Sequence, residues 1–421
     1  MKKIASYMFN DKKLLKDNAI LFIATFLMNV LAYVFHIYVG RFLGPEDYGI
    51  FGSLLSLIYI MIIPFTTIQT GIAKFVSEFK AKNEYGKISF LFSRSLKKML
   101  VYGMIFVAVF LLISPLIAKF LKIDDVKPVM LLAPFFFFAL LLHVTRGVLQ
   151  GLQDFKKLGI NIVSEGIIKL IVGIILLYFG FRVNGAIFAF VISYTIPFFV
   201  FLYLMRSYFK EKKEQFNTKL VYNYSLPVLL LLISLTAFYT FDVLLVKHFF
   251  SNVDAGHYAA LALLGKVILF GSISVPMVMF PKVSESYAKN QDPKHLLYKS
   301  SLFVLIFGSV VTLFYFLFSD FAIRILFGEK YLDIANLLGW FGIVMTIFSL
   351  IYVISFYKIS IKKTKFLYLL VAFNILEIIL IYLFHDSLLQ IIQILIGLMV
   401  LLFILLLPTY KNETFNSNPS I

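Results

Sequence analysis

The sequence predicts an all-α polytopic membrane protein, with about 12 transmembrane helices in two six-helix lobes. The first reason is composition: 61% of the 421 residues are hydrophobic and 14% are charged, whereas a soluble domain carries roughly 25% charged residues. The second is that the apolar residues form segments long enough to cross a bilayer. The third is an internal repeat, because VSEFKAKN (76–83) matches VSESYAKN (283–290) at six of eight positions.

Candidate spans follow from hydropathy and segment length. They are roughly 18–39, 49–70, 99–118, 129–149, 160–180, 185–205, 225–247, 257–280, 300–319, 335–357, 366–384 and 389–408. They predict an N-lobe (1–205), a cytoplasmic linker (206–224), a C-lobe (225–410) and a cytoplasmic tail (411–421). Each lobe has an even number of spans, so both lobes begin on the same membrane side. The repeat is therefore predicted to be parallel.

The basic residues are distributed unevenly between the two sides of this topology. The net charge is +17, and 29 of the 39 Lys and Arg residues fall in alternate connecting segments, beginning with the N-terminus. This is the positive-inside pattern, which predicts a cytoplasmic (plasma) membrane protein with both termini in the cytoplasm. The charge is thus expected to meet anionic membrane lipids, and no nucleic acid partner is expected. The absence of cysteine excludes disulfides and thiolate metal sites.

Span 5 carries the first candidate site. Glu165 and Lys169 stand four residues apart on one helix face, and Asn161 extends that face by a turn. A charge near the bilayer centre costs about 2.5–3.5 kcal/mol, so it needs a partner or a watery cavity. Two interpretations remain open: a polar strip that lines a cavity, or an internal ion pair that only neutralises itself.

The C-lobe carries a second set of charges within its spans. Lys266 on span 8 and Glu377 on span 11 are predicted near mid-depth, and Asp242 on span 7 lies where it could pair with Lys266. The repeat offset of 207 residues places Asp242 and Lys266 at the positions of Phe35 and Tyr59 in the N-lobe. The lobes therefore differ where charge appears, which favours a functional role for these residues.

Three further residues are weaker candidates. His36 and His143 could relay protons, although a single histidine among aromatic side chains more often packs. Arg146 could hold a phosphate or anchor a helix end. We find no Walker-type glycine loop, no metal-spaced histidine cluster and no large outer domain. Neither catalysis nor a metal site is expected.

Four segments resemble a known family. They are GRFLGPEDYGIFGSLLSLI (40–58), RGVLQGLQDFKKLGI (146–160), FDVLLVKHFFSNVDAGHYAAL (241–261) and LFGEKY (326–331). They are similar to junctions in the polysaccharide-unit flippases (O-antigen or teichoic-acid type) of the multidrug/oligosaccharidyl-lipid/polysaccharide exporter superfamily. The resemblance implies a V-shaped pair of lobes around a central cavity. It also implies that a polyprenyl-(pyro)phosphate-linked oligosaccharide moves across the membrane by alternating access, with Asp242 matching the family's recurrent acid in helix 7.

The leading hypothesis is therefore a lipid-linked oligosaccharide flippase for cell-surface polysaccharide assembly. Cavity residues that counter the phosphate would be Lys169, Lys266, Arg146 and Asn161. Acids that couple Na⁺ or H⁺, or order the cavity, would be Asp242, Glu165 and Glu377. No cofactor is expected, and pathway glycosyltransferases and polymerase would be partners. The alternative is a Na⁺- or H⁺-coupled multidrug or small-molecule exporter of the same fold, whereas short outer loops disfavour a membrane glycosyltransferase.

Overall fold

A computed structural model describes residues 12–209, 213–216, 226–289 and 291–407 of the chain. In these ranges the regular structure is helical throughout. The α-helices are α1 (Lys12–Ala81), α2 (Tyr85–Phe120), α3 (Lys127–Met130), α4 (Leu132–Gly151), α5 (Phe155–Tyr178), α6 (Arg182–Leu204), α7 (Leu226–Ala237), α8 (Phe241–Phe249), α9 (Asn252–Ser272), α10 (Ser274–Ala288), α11 (Lys294–Leu317), α12 (Ser319–Leu326), α13 (Ala335–Ser360), α14 (Phe366–Leu383) and α15 (Leu388–Leu406). Two 3₁₀-helices cover Arg206–Phe209 and Glu329–Ile334.

Each predicted span overlaps one or two of these helices, and span 7 is divided between α7 and α8. Among the described residues, 11 helical segments are long and apolar enough to cross a membrane, and the longest (Ile20–Ala81) contains the first two predicted spans. The prediction of an all-α polytopic fold is confirmed. Span 8 consists of two consecutive helices, α9 and α10. The break fits Pro276, which cannot donate a backbone hydrogen bond to the preceding turn.

The long helix α1 is interrupted at Gly44. This residue has φ 72° and ψ 175°, a backbone conformation that glycine adopts without the steric penalty of a Cβ. Pro45 follows and suits the start of the next helical stretch, since its missing N–H needs no partner there. The GPEDYG motif (44–49) thus separates the first two spans without a long loop.

Internal contacts divide the chain into two compact units. Unit 1 comprises Met1–Leu43 and Leu57–Leu229, and unit 2 comprises Gly44–Ser56 and Leu230–Ile421. The first turns after the Gly44 break therefore belong with unit 2. Most of the predicted linker (206–224) and all of the predicted tail (411–421) lie outside the described residues. The predicted lobe limits remain a prediction.

The same helix pairs build the core of each unit. In unit 1, α4 packs against α2 and α6, and in unit 2, α13 packs against α11 and α15. These helices correspond to spans 4, 3 and 6 and to spans 10, 9 and 12. The central helix is thus the fourth span of its half in both units, as a duplication predicts.

Repeat-related residues also touch each other within unit 2. A Cβ added to Gly49 would lie 2.8 Å from the backbone nitrogen of Gly256, and one added to Gly52 would lie 2.5 Å from the Cβ of Ala259. Both pairs have the repeat offset of 207 residues. The first turns after the Gly44 break and the start of α9 therefore cross at close range.

Candidate functional site

In unit 1 the helix α5 presents its three polar residues on one buried face. Asn161, Glu165 and Lys169 are spaced four residues apart, so each lies one turn along from the last. Their exposed fractions are 0%, 4% and 4%. The close spacing that the sequence predicts is therefore confirmed, and these side chains point into unit 1 and away from its surface.

Arg146 on α4 connects two of these residues. Its Nε donates a hydrogen bond to Asn161 Oδ1 at 2.6 Å, and its Nη2 donates to Glu165 Oε2 at 2.8 Å. The planar guanidinium offers several donors in a fixed arrangement, so it can bind an amide and a carboxylate together. Arg146 is 7% exposed. Its side chain is thus an internal partner of α5, and its predicted phosphate-binding or anchoring role stays a prediction.

Lys169 reaches the same carboxylate from the other side. Its Nζ lies 4.0 Å from Glu165 Oε1 and faces the ring of Phe190, whose centroid is 4.8 Å away. A second ring, Phe35, lies 5.9 Å from the Nζ. The ring faces attract the ammonium by cation–π interaction, so aromatic side chains complete its surroundings.

Arg146, Asn161, Glu165 and Lys169 form what we term the unit 1 cluster. With all groups ionised, two cations share one carboxylate, which leaves an excess of one positive charge. An uncompensated buried charge is energetically unfavourable. The arrangement can therefore gain free energy by binding an anion.

The two candidate histidines lie beside this cluster or close to its aromatic surroundings. His143 is buried, its Nδ1 lies 2.7 Å from the carbonyl oxygen of Ala139, and its ring stacks against Tyr194 at 6.5 Å. His36 is also buried and packs edge-on against Phe35 at 5.7 Å. The predicted proton-relay role of either histidine stays a prediction.

In unit 2 the buried acid Asp242 on α8 has a polar environment of its own. Its Oδ2 accepts a 2.8 Å hydrogen bond from the Tyr258 hydroxyl on α9, and its Oδ1 accepts one from the Val243 backbone N–H. Lys266 lies on α9, which packs against α8, and it faces the Tyr239 ring at 5.1 Å. The predicted pairing of Asp242 with Lys266 stays a prediction.

Glu377 on α14 is fully buried, and neither carboxylate oxygen has a hydrogen-bond partner within the described part of the chain. The Oδ1 of Asn374, one turn earlier on the same helix, also has none there, although its Nδ2 donates to the Ser234 carbonyl at 3.1 Å. The helix of Glu377 packs against α8, the helix that carries Asp242. Buried acceptors without donors are destabilising, so this group of oxygens favours a cation or a proton.

We term Asp242, Lys266, Asn374 and Glu377 the unit 2 cluster. With all groups ionised it has two carboxylates and one ammonium, an excess of one negative charge. Oxygen ligands of this kind suit hard cations. The net charge of the unit 2 cluster is thus negative, whereas that of the unit 1 cluster is positive.

Sequence reasoning missed three participants. Tyr194, Tyr258 and Asn374 were not candidates, yet they contact or extend the two clusters. Asn374 could have been found, because it stands three residues before Glu377 and so shares its helix face. The two tyrosines have no comparable local signal in a chain with 24 tyrosines.

Comparison with known proteins gives the family. Residues 14–287 match the sequence pattern of a protein family whose description is polysaccharide biosynthesis protein. The matched region is more than half of the chain. The chain belongs to the polysaccharide biosynthesis protein family. This membership confirms the family resemblance, and three of the four segments that carried it lie within the matched residues.

One relative of this family member is Stage V sporulation protein B of Bacillus subtilis (strain 168). It is 26% identical over 162 residues, a match that spans 37% of this chain and 31% of the relative. The aligned part thus covers about a third of that protein's length.

Solved structures show the same fold at low identity. One is an inward-facing multidrug resistance MATE family transporter of the MOP superfamily, with a TM-score of 0.77, 14% identity, and coverage of 90% of this chain and 92% of that chain. Another is the lipid II flippase MurJ in an inward closed conformation, with a TM-score of 0.71, 14% identity, and coverage of 92% and 86%. The polysaccharide biosynthesis family member therefore has the fold of this transporter superfamily.

Proposed function

We propose that the protein is a flippase that moves a polyprenyl-(pyro)phosphate-linked oligosaccharide across the cytoplasmic membrane by alternating access. The observation that carries this proposal is the buried excess of positive charge in the unit 1 cluster, in a member of a polysaccharide biosynthesis family. Both termini would lie in the cytoplasm, as the basic residues predict. Pathway glycosyltransferases and a polymerase would supply and use the oligosaccharide.

The phosphate of such a substrate matches the unit 1 cluster in charge. Arg146 can bind phosphate oxygens with the same donors that now bind Glu165 and Asn161. Lys169 adds a second cation 4.0 Å from the shared carboxylate. Glu165 would hold both cations in place while the site is closed, and the phosphate would compete with it when the surrounding helices separate.

The unit 2 cluster supplies a coupling site in this proposal. Glu377 and Asn374 have buried acceptor oxygens, and Asp242 adds a carboxylate that already accepts two hydrogen bonds. Na⁺ or H⁺ bound there would remove the excess negative charge and the desolvation penalty together. Release of the ion would restore both, so ion binding can bias one conformation over another.

The first prediction tests the anion site. Lys169→Met is expected to lower export of the lipid-linked oligosaccharide at least tenfold, because it removes the excess charge but leaves the Arg146–Glu165 pair intact. The measurement is flipping of a fluorescent lipid-linked oligosaccharide in proteoliposomes, together with glycan export in a deletion strain. Lys119→Met is the control, since Lys119 is an exposed lysine near the end of α2. Equal transport by both variants would contradict the proposal that Lys169 binds the phosphate.

The second prediction tests the coupling site. Glu377→Gln is expected to make transport insensitive to an imposed Na⁺ or H⁺ gradient, because a neutral amide neither binds Na⁺ strongly nor titrates. Flipping is measured in proteoliposomes with each gradient set separately, which also identifies the ion. The control is Glu285→Gln, an exposed acid whose side chain is 64% accessible. A gradient response that survives in Glu377→Gln would contradict the assignment.

A Na⁺- or H⁺-coupled exporter of small molecules is the second candidate, and the acidic unit 2 cluster is the observation that favours it. Such a protein needs the cation site but no phosphate site. In that case Glu377→Gln would abolish drug resistance, and Lys169→Met would leave both resistance and glycan export unchanged.

A further inference from the structure

A short segment, 213–216, is held against the adjoining ends of α1 and α2 in unit 1. Phe216 packs between aromatic rings of both helices, 4.8 Å from the ring centroid of Phe79 and 6.0 Å from that of Phe90. The backbone N–H of Glu214 donates a 3.1 Å hydrogen bond to the Gly86 carbonyl. Paired aromatic rings in these geometries are stabilising, so this segment has a defined position on the helices.

Next to this segment there is a pocket of about 490 Å³. Arg94, Lys97 and Lys98 line it from α2, and Lys213 lines it from the segment. The spacing of the α2 residues places them on one helix face, and the Arg94 guanidinium lies over the Phe90 ring at 5.6 Å. No carboxylate lines the pocket in the described part of the chain.

The pocket changes from basic to apolar along α2. Val101 and Tyr102 line its far end and are 50% and 58% exposed. Beyond them the exposed face of α2 continues with large apolar residues such as Ile105 and Leu112. A basic section followed directly by an exposed apolar section is the arrangement that an amphipathic ligand requires.

Charge complementarity indicates what the pocket accepts. Four like charges around one pocket repel each other, and an anion between them removes that repulsion. A free anion would use the basic end alone. A phospholipid would also cover Val101 and Tyr102, because its acyl chains continue where its phosphate ends.

We propose that this pocket binds the headgroup phosphate of an anionic glycerophospholipid. The phosphate contacts Arg94, Lys97 and Lys213, and the acyl chains lie along the apolar face of α2. Lys213 belongs to the segment 213–216, whereas Arg94 and Lys97 belong to α2. The bound lipid therefore links the segment to α2. The site is separate from both buried clusters and does not depend on the proposed transport of a lipid-linked oligosaccharide.

The test measures lipid binding to the full-length protein. Detergent-purified protein is titrated with phosphatidylglycerol or phosphatidylcholine, and bound lipid is counted by native mass spectrometry. Phosphatidylglycerol is expected to bind at least tenfold more tightly than phosphatidylcholine. The triple variant Arg94→Gln/Lys97→Gln/Lys213→Gln is expected to lose this preference. All three residues are exposed, so thermal unfolding should be unchanged.

A matched variant controls for overall charge. Lys119→Gln/Lys127→Gln/Lys330→Gln removes three exposed positive charges elsewhere and should keep the lipid preference. Phe216→Ala, which releases the segment, should weaken phosphatidylglycerol binding severalfold. An equal loss of lipid in both triple variants would overturn the proposal. Displacement of the lipid by inorganic phosphate at matching concentration would also overturn it, since it would show a site for free anions.

Discussion

Glu165→Gln is expected to destabilise the protein by about 3–5 kcal/mol, the usual effect of removing one partner from a buried ion pair. Arg146 donates to the Glu165 carboxylate at 2.8 Å, and Lys169 lies 4.0 Å from it. Glutamine keeps the size of the side chain but leaves both cations buried without a counterion. The measurement is thermal or denaturant unfolding of purified protein in one detergent.

A double variant shows whether charge is the cause. Adding Lys169→Met to Glu165→Gln removes one of the two uncompensated cations, so it should recover a large part of the lost stability. Adding Lys119→Met instead should recover nothing, because Lys119 is exposed and belongs to another helix. Since contacting residues give non-additive effects, the difference between the double variants measures the coupling. Wild-type stability in Glu165→Gln alone would show that the cluster is not held by ion pairing.

Gly256→Ala is expected to have the second large effect. A Cβ at this position would overlap the carbonyl oxygen of Pro45 and lie 2.9 Å from its Cα. Overpacking typically costs 1–3 kcal/mol, and about the upper end is expected here because the obstacle is backbone and cannot change rotamer. The first turns after the Gly44 break would have to move away from α9. We expect a lower unfolding temperature and reduced transport.

Gly397→Ala provides the matched control. A Cβ on Gly397, in α15, would meet no atom within 4 Å, and alanine favours helix more than glycine does. This variant should therefore unfold at or above the wild-type temperature. Equal unfolding temperatures for Gly256→Ala and Gly397→Ala would show that the crossing of these two segments is not tightly packed.

The contrast between these positions shows how far sequence reasoning reaches. The repeat paired Gly49 with Gly256 by register, but nothing in the register showed that the two glycines would touch. The same applies to charge: the spacing on α5 placed Glu165 and Lys169 on one face, and it left open whether they paired internally or lined a cavity. The structure shows that the Glu165 carboxylate is approached by both Lys169 and Arg146. Arg146 is 19 positions away from Glu165 along the chain.

By itself the sequence determined the membrane spans, the duplication and the shared face of Asn161, Glu165 and Lys169. These features depend on hydropathy and helical periodicity, which are local properties of the chain. Only the tertiary structure decided that Arg146 binds Glu165, that Tyr258 binds Asp242, and that Glu377 is buried with both carboxylate oxygens unpaired within the described residues. Such contacts depend on how helices cross and rotate. Many residues at similar spacing would satisfy the local pattern equally well, so packing selects the partners.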